Sequence, residues 1–453
     1  MIIPKIGGVK HLDNIPSFLA SEVAHHSKSK SAAPNGGPQI TKLDNGLTII
    51  TETMPHVLSA GIHVFVNVGS VNEDDRISGA THFLEHMVFQ GTKNRTEKQI
   101  ADEAADSGAE INAATSEEYT HYDAQVLGEN VMTPTAIFLD MLLNNRMRKK
   151  KFEVERGVIL EEAKGYEDDP QHRVLNLAQE TYYKGHPYGR KIIGTQETIS
   201  QIQISDLKRF LRDYYTPDNM FVSLAGNFDP DKAIKEIERL TSDTTIRAHK
   251  SEIPPLTCNV ENVVDSMNIQ QAHIILITKG YSLLDDKRYA LLVLNQAFGG
   301  GMNSRLFRNI RNKTGWCYSV DSFLDLASLG GAFMVYSGLK QDKVQEGISL
   351  ILKEMDKVKK RGLTPEELNR AKTQIRTALV LKGEATDKIS YSNGASYMHR
   401  GSVVSLEEVD RKIQAVTNED IMKVANEVFD PKFTAAFVIG PKKTLPKSIE
   451  ITL

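Results

Sequence analysis

Apolar positions along the chain fall into short runs with strand character, separated by longer stretches with helical spacing. Gly61-Ile-His-Val-Phe-Val-Asn-Val68 alternates with a period of two, and Ala272-His-Ile-Ile-Leu-Ile277 shares its alternation and apolar content. Both predict strands with one face turned to a core. Residues 220–225 and 433–439 are continuous apolar runs, each closed by a glycine, Gly226 and Gly440, and predict buried strands. Residues 342–361 and 365–382 read as long helices, the second opened by the start signal Thr364-Pro-Glu-Glu. Residues 152–164 are also strongly helical in pattern. No apolar run approaches the ~18 residues that a membrane-spanning helix needs, so no span is expected.

These predicted elements repeat. Ile199-Ser-Gln-Ile202, Asp206, Tyr215, Pro217 and Gly226 have counterparts in Ile413-Gln-Ala-Val416, Asp420, Phe429, Pro431 and Gly440, each offset by 214 residues (420 − 206). In both copies an amphipathic helix leads to an aromatic residue, a proline and an apolar strand. A period this long marks a duplicated domain rather than a solenoid unit. The expected fold is α+β: two homologous domains, each a mostly antiparallel sheet packed with helices. Residues 1–38 read as an extension ending in a flexible connector (Ser27-Lys-Ser-Lys-Ser-Ala-Ala-Pro-Asn-Gly-Gly-Pro38), residues 39–240 as the first domain, 241–256 as a linker and 257–453 as the second domain.

Composition adds exclusions. The chain has 453 residues, 40% of them apolar, with 55 basic against 58 acidic side chains and a formal charge of −3. There is no basic block of the kind that follows nucleic acid, so no nucleic-acid partner is expected. Two cysteines, Cys258 and Cys317, cannot staple a chain of this size and have no zinc-finger spacing; they read as ordinary thiols in a reducing compartment. The first 38 residues contain no continuous apolar core of a secretory signal and no arginine, but include Asp13 and Glu22, which suits an organellar transit peptide poorly. The expectation is a cytoplasmic protein, with the matrix of a mitochondrion-related organelle as the alternative.

The chemistry concentrates in Thr81-His-Phe-Leu-Glu-His-Met-Val-Phe89. On a helix His82 and His86 are i, i+4 neighbours, so two imidazoles reach one metal from one face. Glu85 lies beside that metal, where a carboxylate that does not ligate can act as general base in metal-assisted hydrolysis. Two surface histidines on an amphipathic helix would give the same string. A catalytic zinc takes three protein ligands, and the helical segment 152–164 offers Glu153, Glu155, Glu161 and Glu162. Spacing alone does not choose among them, and a solvated acidic face is the plainer reading of the segment.

His82-Phe-Leu-Glu-His86, followed 76 residues later (162 − 86) by Glu162 within Glu155-Arg-Gly-Val-Ile-Leu-Glu-Glu162, resembles the pitrilysin/insulinase family of zinc metallopeptidases. The resemblance covers about residues 39–453 and is closest to half-size members of the mitochondrial-processing-peptidase β-subunit kind and their bacterial relatives. It implies one Zn2+ per chain, held by His82, His86 and Glu162, with Glu85 as base and Glu155 as an acidic residue behind the ligands. It also implies that Gly108-Ala-Glu-Ile-Asn-Ala-Ala-Thr115 is an edge strand that takes an extended peptide, with Asn112 and Ala113 in contact with it; the family usually has two glycines where this chain has Gly108-Ala109. In the second half, Phe298-Gly-Gly-Gly-Met-Asn-Ser-Arg-Leu306 resembles the family's glycine-rich loop, giving Gly299, Gly300 and Gly301 as substrate-binding positions. Arg311 and Tyr318 match its arginine–tyrosine pair, donors to the substrate carbonyl.

The function so implied is a zinc-dependent endopeptidase acting on extended peptides or presequences. The alternative is a non-catalytic structural subunit of the same fold, as in respiratory-complex core proteins. Processing-peptidase β-subunits carry further acidic residues ten and fourteen positions beyond the third ligand; here those positions are His172 and Asn176, so strict arginine-directed cleavage is not implied. Glu167, Asp168 and Asp169 could attract basic peptides, or be an exposed acidic loop. A half-size chain carrying both elements implies a homodimer whose active sites are shared between subunits, with pairing to a non-catalytic homologue as the alternative.

Overall fold

The computed structural model describes residues 37–242, 244 and 252–451. The extension up to residue 36 and the middle of the expected linker lie outside the described residues.

Two sheets organise the molecule. The first consists of β1 (Gln39–Lys42), β2 (Thr48–Thr53), β3 (Ser59–Val66), β4 (Asn112–Thr115), β5 (Thr120–Leu127) and β6 (Met220–Gly226), in the order β1-β2-β6-β3-β5-β4. The second consists of β7 (Val263–Ser266), β8 (Gln271–Gly280), β9 (Cys317–Leu326), β10 (Gly331–Lys340) and β11 (Ala435–Gly440), in the order β7-β11-β8-β10-β9. Without β1 the two orders are the same. Each sheet has one parallel pair in the same place, β2 with β6 and β7 with β11, and is otherwise antiparallel. The fold is therefore α+β with two homologous halves, as the repeat predicts.

Matching helices confirm the correspondence at the level of packing. The helix Ile204–Tyr214 buries Leu207, Phe210 and Tyr214, and Asn418–Val428 buries Ile421, Val424 and Val428 at the same 214-residue offset (421 − 207). Spacing of i, i+3, i+7 gives each helix one apolar stripe for its own core. The predicted long helices are Val344–Arg361 and Pro365–Gly383. One boundary differs: residues 431–433 form a short 3-10 turn before β11 rather than its first residues. Pro431 has no N–H for a ladder, and the Asp430 side chain accepts from the Lys432 N–H, so the turn wins locally.

The halves are joined by an exchange of helices. Pro170–Tyr182, from the first half, lies against β8 and β11 of the second, burying Val174, Ala178 and Tyr182 with Ile275, Ile277 and Phe437. Thr386–Arg400, from the second half, crosses β3 and β6 of the first. Each sheet therefore has its own half's core on one face and a borrowed helix on the other. Close approach of the second helix depends on two glycines. A Cβ at Gly61 would stand 2.5 Å from the Thr386 backbone, and one at Gly394 would stand 2.2 Å from the Phe65 ring. Backbone cannot rotate out of the way as a side chain can, so Gly61→Ala forces the helix outward. Overpacking of this kind costs about 1–3 kcal/mol. Urea unfolding of the variant is expected to show that loss, and an unchanged midpoint would mean the helix is not seated against β3.

Candidate metal centre

The motif histidines lie on the helix Ala80–Val88, whose apolar side, Phe83, Leu84, Met87 and Val88, is fully buried. Chain entry to this helix is tight. Gly79 has φ +95°, and a Cβ there would meet the Ile193 carbonyl oxygen at 2.4 Å. Glu73 caps the helix: its carboxylate accepts from the backbone N–H of Gly79 (2.9 Å) and of Thr81 (2.6 Å). These are donors a helix start otherwise leaves unpaired. Burial nevertheless raises the Glu73 pKa to about 7, outweighing these bonds and the nearby Arg190 charge.

The second contributor is the helix Lys149–Asp168, which packs against the motif helix. Phe83 and Phe152 stack at 4.7 Å between ring centres with planes 8° apart, fixing the rotation of one helix against the other. That rotation sorts the four glutamates. Glu153 and Glu161 face solvent and pair with Arg156 and Lys164 on their own helix. Glu155 and Glu162, seven residues apart on one face, turn towards the histidines.

His82 Nε2 stands 3.5 Å from one oxygen of Glu162, and His86 Nε2 stands 3.5 Å from the other. One ligand atom from each of His82, His86 and Glu162 lies within 4.8 Å of the others. Both Glu162 oxygens and His82 Nδ1 are buried without a hydrogen-bond partner. Buried polar atoms are normally satisfied, and two neutral nitrogens with a carboxylate are a zinc donor set. The residues present therefore fit a metal. His86 Nδ1 lies 3.2 Å from Glu155, which would hold the ring with Nε2 facing the metal. Glu85 is buried beside the cluster and accepts from the Thr115 hydroxyl at the end of β4. Tyr166 is also close: burial, then the charges of Glu162 and Glu85, push its phenol well above the ordinary value.

Without metal, this cluster holds protons. Burial lowers the His86 pKa, but the hydrogen bond to Glu155 and the nearby carboxylates of Glu162 and Glu85 outweigh it and bring it to about 9. Burial raises that of Glu162, but His82 and His86 outweigh it and bring it to about 2. His86 must lose its proton to ligate, so metal binding at neutral pH releases one. Apparent zinc affinity is expected to rise about tenfold between roughly pH 7 and pH 8 and to level off above about 9. The folded pKa of His86 is raised, so its contribution to metal-free stability is full below about 6.5 and lost as pH rises through about 9. Chelator-competition titrations at several pH values check the affinity slope, and a flat profile would contradict it.

The remaining sequence candidates lie elsewhere. Asn112 and Ala113 are on β4, the edge of the first sheet, and the strand runs directly to Thr115 beside Glu85. Gly299 ends the helix Arg288–Gly299, and Gly300 and Gly301 follow it; Gly301 has φ +118° with open space around its Cβ direction. Arg311 sits on a single π-helical turn, Phe307–Asn312, with its guanidinium over Phe307 and its Nε donating to the Tyr318 carbonyl at 3.3 Å. Tyr318 is 81% exposed. Of the acidic stretch, Glu167 pairs with Lys191 at 2.5 Å and Asp169 caps the helix Pro170–Tyr182, while Asp168 is exposed. Glu73, Thr115 and Tyr166 are the positions near the centre that the motifs do not single out.

Comparison with known proteins bears on this geometry. Residues 48–196 match the family described as Insulinase (Peptidase family M16), and residues 201–375 match the Peptidase M16 inactive domain. Among the described residues of the second half no group of three side chains is disposed to hold a metal ion. The chain is 35% identical to an uncharacterized zinc protease of Streptomyces coelicolor, with 89% of each covered, and 32% identical to one of Bacillus subtilis, with 89% of this chain and 98% of that one covered. In structure it is similar to a protease from Helicobacter pylori (TM-score 0.84, 22% identity, 89% and 99% covered). It is also similar to a chain of Complex III2 from Candida albicans (TM-score 0.77, 20% identity, 89% and 96% covered).

Proposed function

Because the chain belongs to the M16, or insulinase, family of peptidases, we propose that it is a zinc-dependent endopeptidase that hydrolyses extended peptides. The observation that carries this reading is the convergence of His82, His86 and Glu162, with buried unpartnered atoms, beside the buried carboxylate of Glu85. Zinc held there would supply the Lewis acidity that makes water a nucleophile at neutral pH. Glu85 takes the proton of the attacking water and returns it to the leaving amine. Thr115 holds the Glu85 carboxylate in place, and Glu155 is a positioning residue acting through His86. The free edge of β4 takes the substrate as an added strand, so Asn112 and Ala113 meet peptide backbone and carry it past Glu85. Arg311 and Tyr318 donate to the developing oxyanion, and the loop Gly299–Gly301 contacts substrate; both come from the second subunit of a homodimer.

Likeness to a Complex III2 chain favours one competing reading, a non-catalytic subunit. The two part on zinc content and on cleavage of quenched peptides of roughly 10–30 residues, lengths suited to strand addition. The peptidase binds one zinc at this centre and cuts such peptides, while the same sequence locked inside a stable folded domain resists. Equal rates on both forms would remove the edge-strand account. Absence of zinc and of cleavage would favour the structural subunit. No helix among the described residues is long and apolar enough to cross a membrane.

A further inference from the structure

A second group of metal-ligating side chains lies on the other face of the first sheet. His63 on β3 pairs in register with Asp123 on β5, and Phe65 pairs with His121, so His63, His121 and Asp123 project from one face. That face is the one covered by the borrowed helix Thr386–Arg400. One ligand atom from each of the three lies within 4.8 Å of the others, the same limit that the His82, His86 and Glu162 set meets. Tetrahedral ligands at ~2.1 Å from zinc stand roughly 3.4 Å apart.

Two further observations point to a cation. First, the tautomer of His63 is fixed. Ser390 Oγ donates its one proton to the Asp387 carbonyl (3.0 Å) and so accepts at His63 Nδ1 (2.8 Å). Nδ1 then carries the ring proton, and Nε2 keeps its lone pair for a ligand. This hydrogen bond on the far nitrogen is how metal-ligating histidines are held. Second, His121 Nδ1 is buried with no hydrogen-bond partner, and His121 Nε2 lies 3.6 Å from Asp123 Oδ1, beyond a good hydrogen bond. A buried imidazole nitrogen left unpaired is unusual unless something else occupies it. The Asp123 side chain keeps 27% exposure, which leaves an entry path.

We infer that His63, His121 and Asp123 form a second divalent-metal site, of zinc type, separate from the His82 centre. Its ligands belong to the first half, and the residue that orients His63 belongs to the second. A metal there fastens the borrowed helix to the sheet, so its role is to hold the two halves together rather than to hydrolyse peptide. The inference does not rest on the proposed peptidase activity.

The test is metal stoichiometry on the full chain, read with Co2+, whose visible absorption reports tetrahedral nitrogen and oxygen ligands, and by metal analysis after zinc loading. Wild type is expected to bind two equivalents, His82→Ala/His86→Ala one, and Asp123→Asn or His121→Ala one. The triple variant His82→Ala/His86→Ala/Asp123→Asn is expected to bind none. Zinc should also raise the thermal midpoint of His82→Ala/His86→Ala and not that of the triple variant. Loss of all stoichiometric metal in His82→Ala/His86→Ala overturns the inference, as does unchanged stoichiometry in Asp123→Asn. Asp123→Asn keeps the shape of the side chain, so the comparison survives even where His121→Ala fails to fold. If the His82 centre instead binds nothing, wild type takes up one equivalent that only Asp123→Asn or His121→Ala removes, which keeps the two readings distinct.

Discussion

Glu85→Gln is expected to keep its zinc and lose peptide hydrolysis by a factor of about 10² to 10⁴, the usual contribution of a positioned general base. The amide keeps the size of the carboxylate and can still accept from the Thr115 hydroxyl, so the local packing is preserved. It cannot take a proton from water. Glu85 is not among the three side chains whose ligand atoms converge, so metal content stays at the wild-type level. Glu162→Gln gives the opposite pairing, because removing the only carboxylate of the set lowers zinc affinity together with activity. Turnover and bound zinc measured on both variants separate the base from the ligand. Retention of more than ~10% of wild-type kcat by Glu85→Gln would remove it from the base role.

What the sequence discloses about this centre depends on how far apart its parts lie. The two histidines and the base share two turns of one helix, so their geometry follows from helical periodicity alone. Glu162 is 76 residues away (162 − 86), and the choice among four glutamates is made by the rotation of one helix against another, through the Phe83–Phe152 stack. Periodicity shows that Glu155 and Glu162 share a face; it does not show that this face meets His82. Glu73 and Thr115 are further from view. Glu73 reads as one acid in an acidic turn until the start of the motif helix is placed over it. Thr115 needs β4 to be set at the sheet edge.

The duplication was legible because each copy repeats the features that terminate elements: a capping acid, an aromatic, a proline and a closing glycine. Helix exchange between the halves was not. Thr386–Arg400 buries Ser390, Ser392, Asn393 and Ser396, residues that read as surface. Their small volume and the two glycines at the crossing are what let the helix lie close to β3. Asn393 also finds a partner in Glu52 of β2 at 2.6 Å. The His63, His121 and Asp123 group was hidden for a related reason. Its members meet only through the register of β3 with β5, and register is set by pairing, not by local spacing.

Assembly gives the second large effect. Arg311 and Tyr318 lie on the second half, Tyr318 exposed and Arg311 half-buried, and the Arg311 guanidinium is engaged by its neighbours Phe307, Asn312 and the Tyr318 carbonyl. Donors to an oxyanion must stand about 3 Å from the reacting carbonyl. In the proposed homodimer each site therefore takes its metal and base from one subunit and its Arg311/Tyr318 pair from the other, a reciprocal arrangement that two-fold symmetry closes. Two variants test it, Glu85→Gln and Arg311→Ala/Tyr318→Phe, each expected to be nearly inactive alone. Co-refolding equal amounts makes about half of the dimers mixed. In a mixed dimer one site combines two lesions and the other has none, so activity should return to roughly a quarter of wild type. If instead the pair serves the metal centre of its own chain, every site in every dimer carries a lesion, and mixing restores nothing. Recovery of a quarter from two inactive preparations is hard to obtain in any other way, whereas no recovery from dimers shown to have exchanged subunits would rule the shared site out.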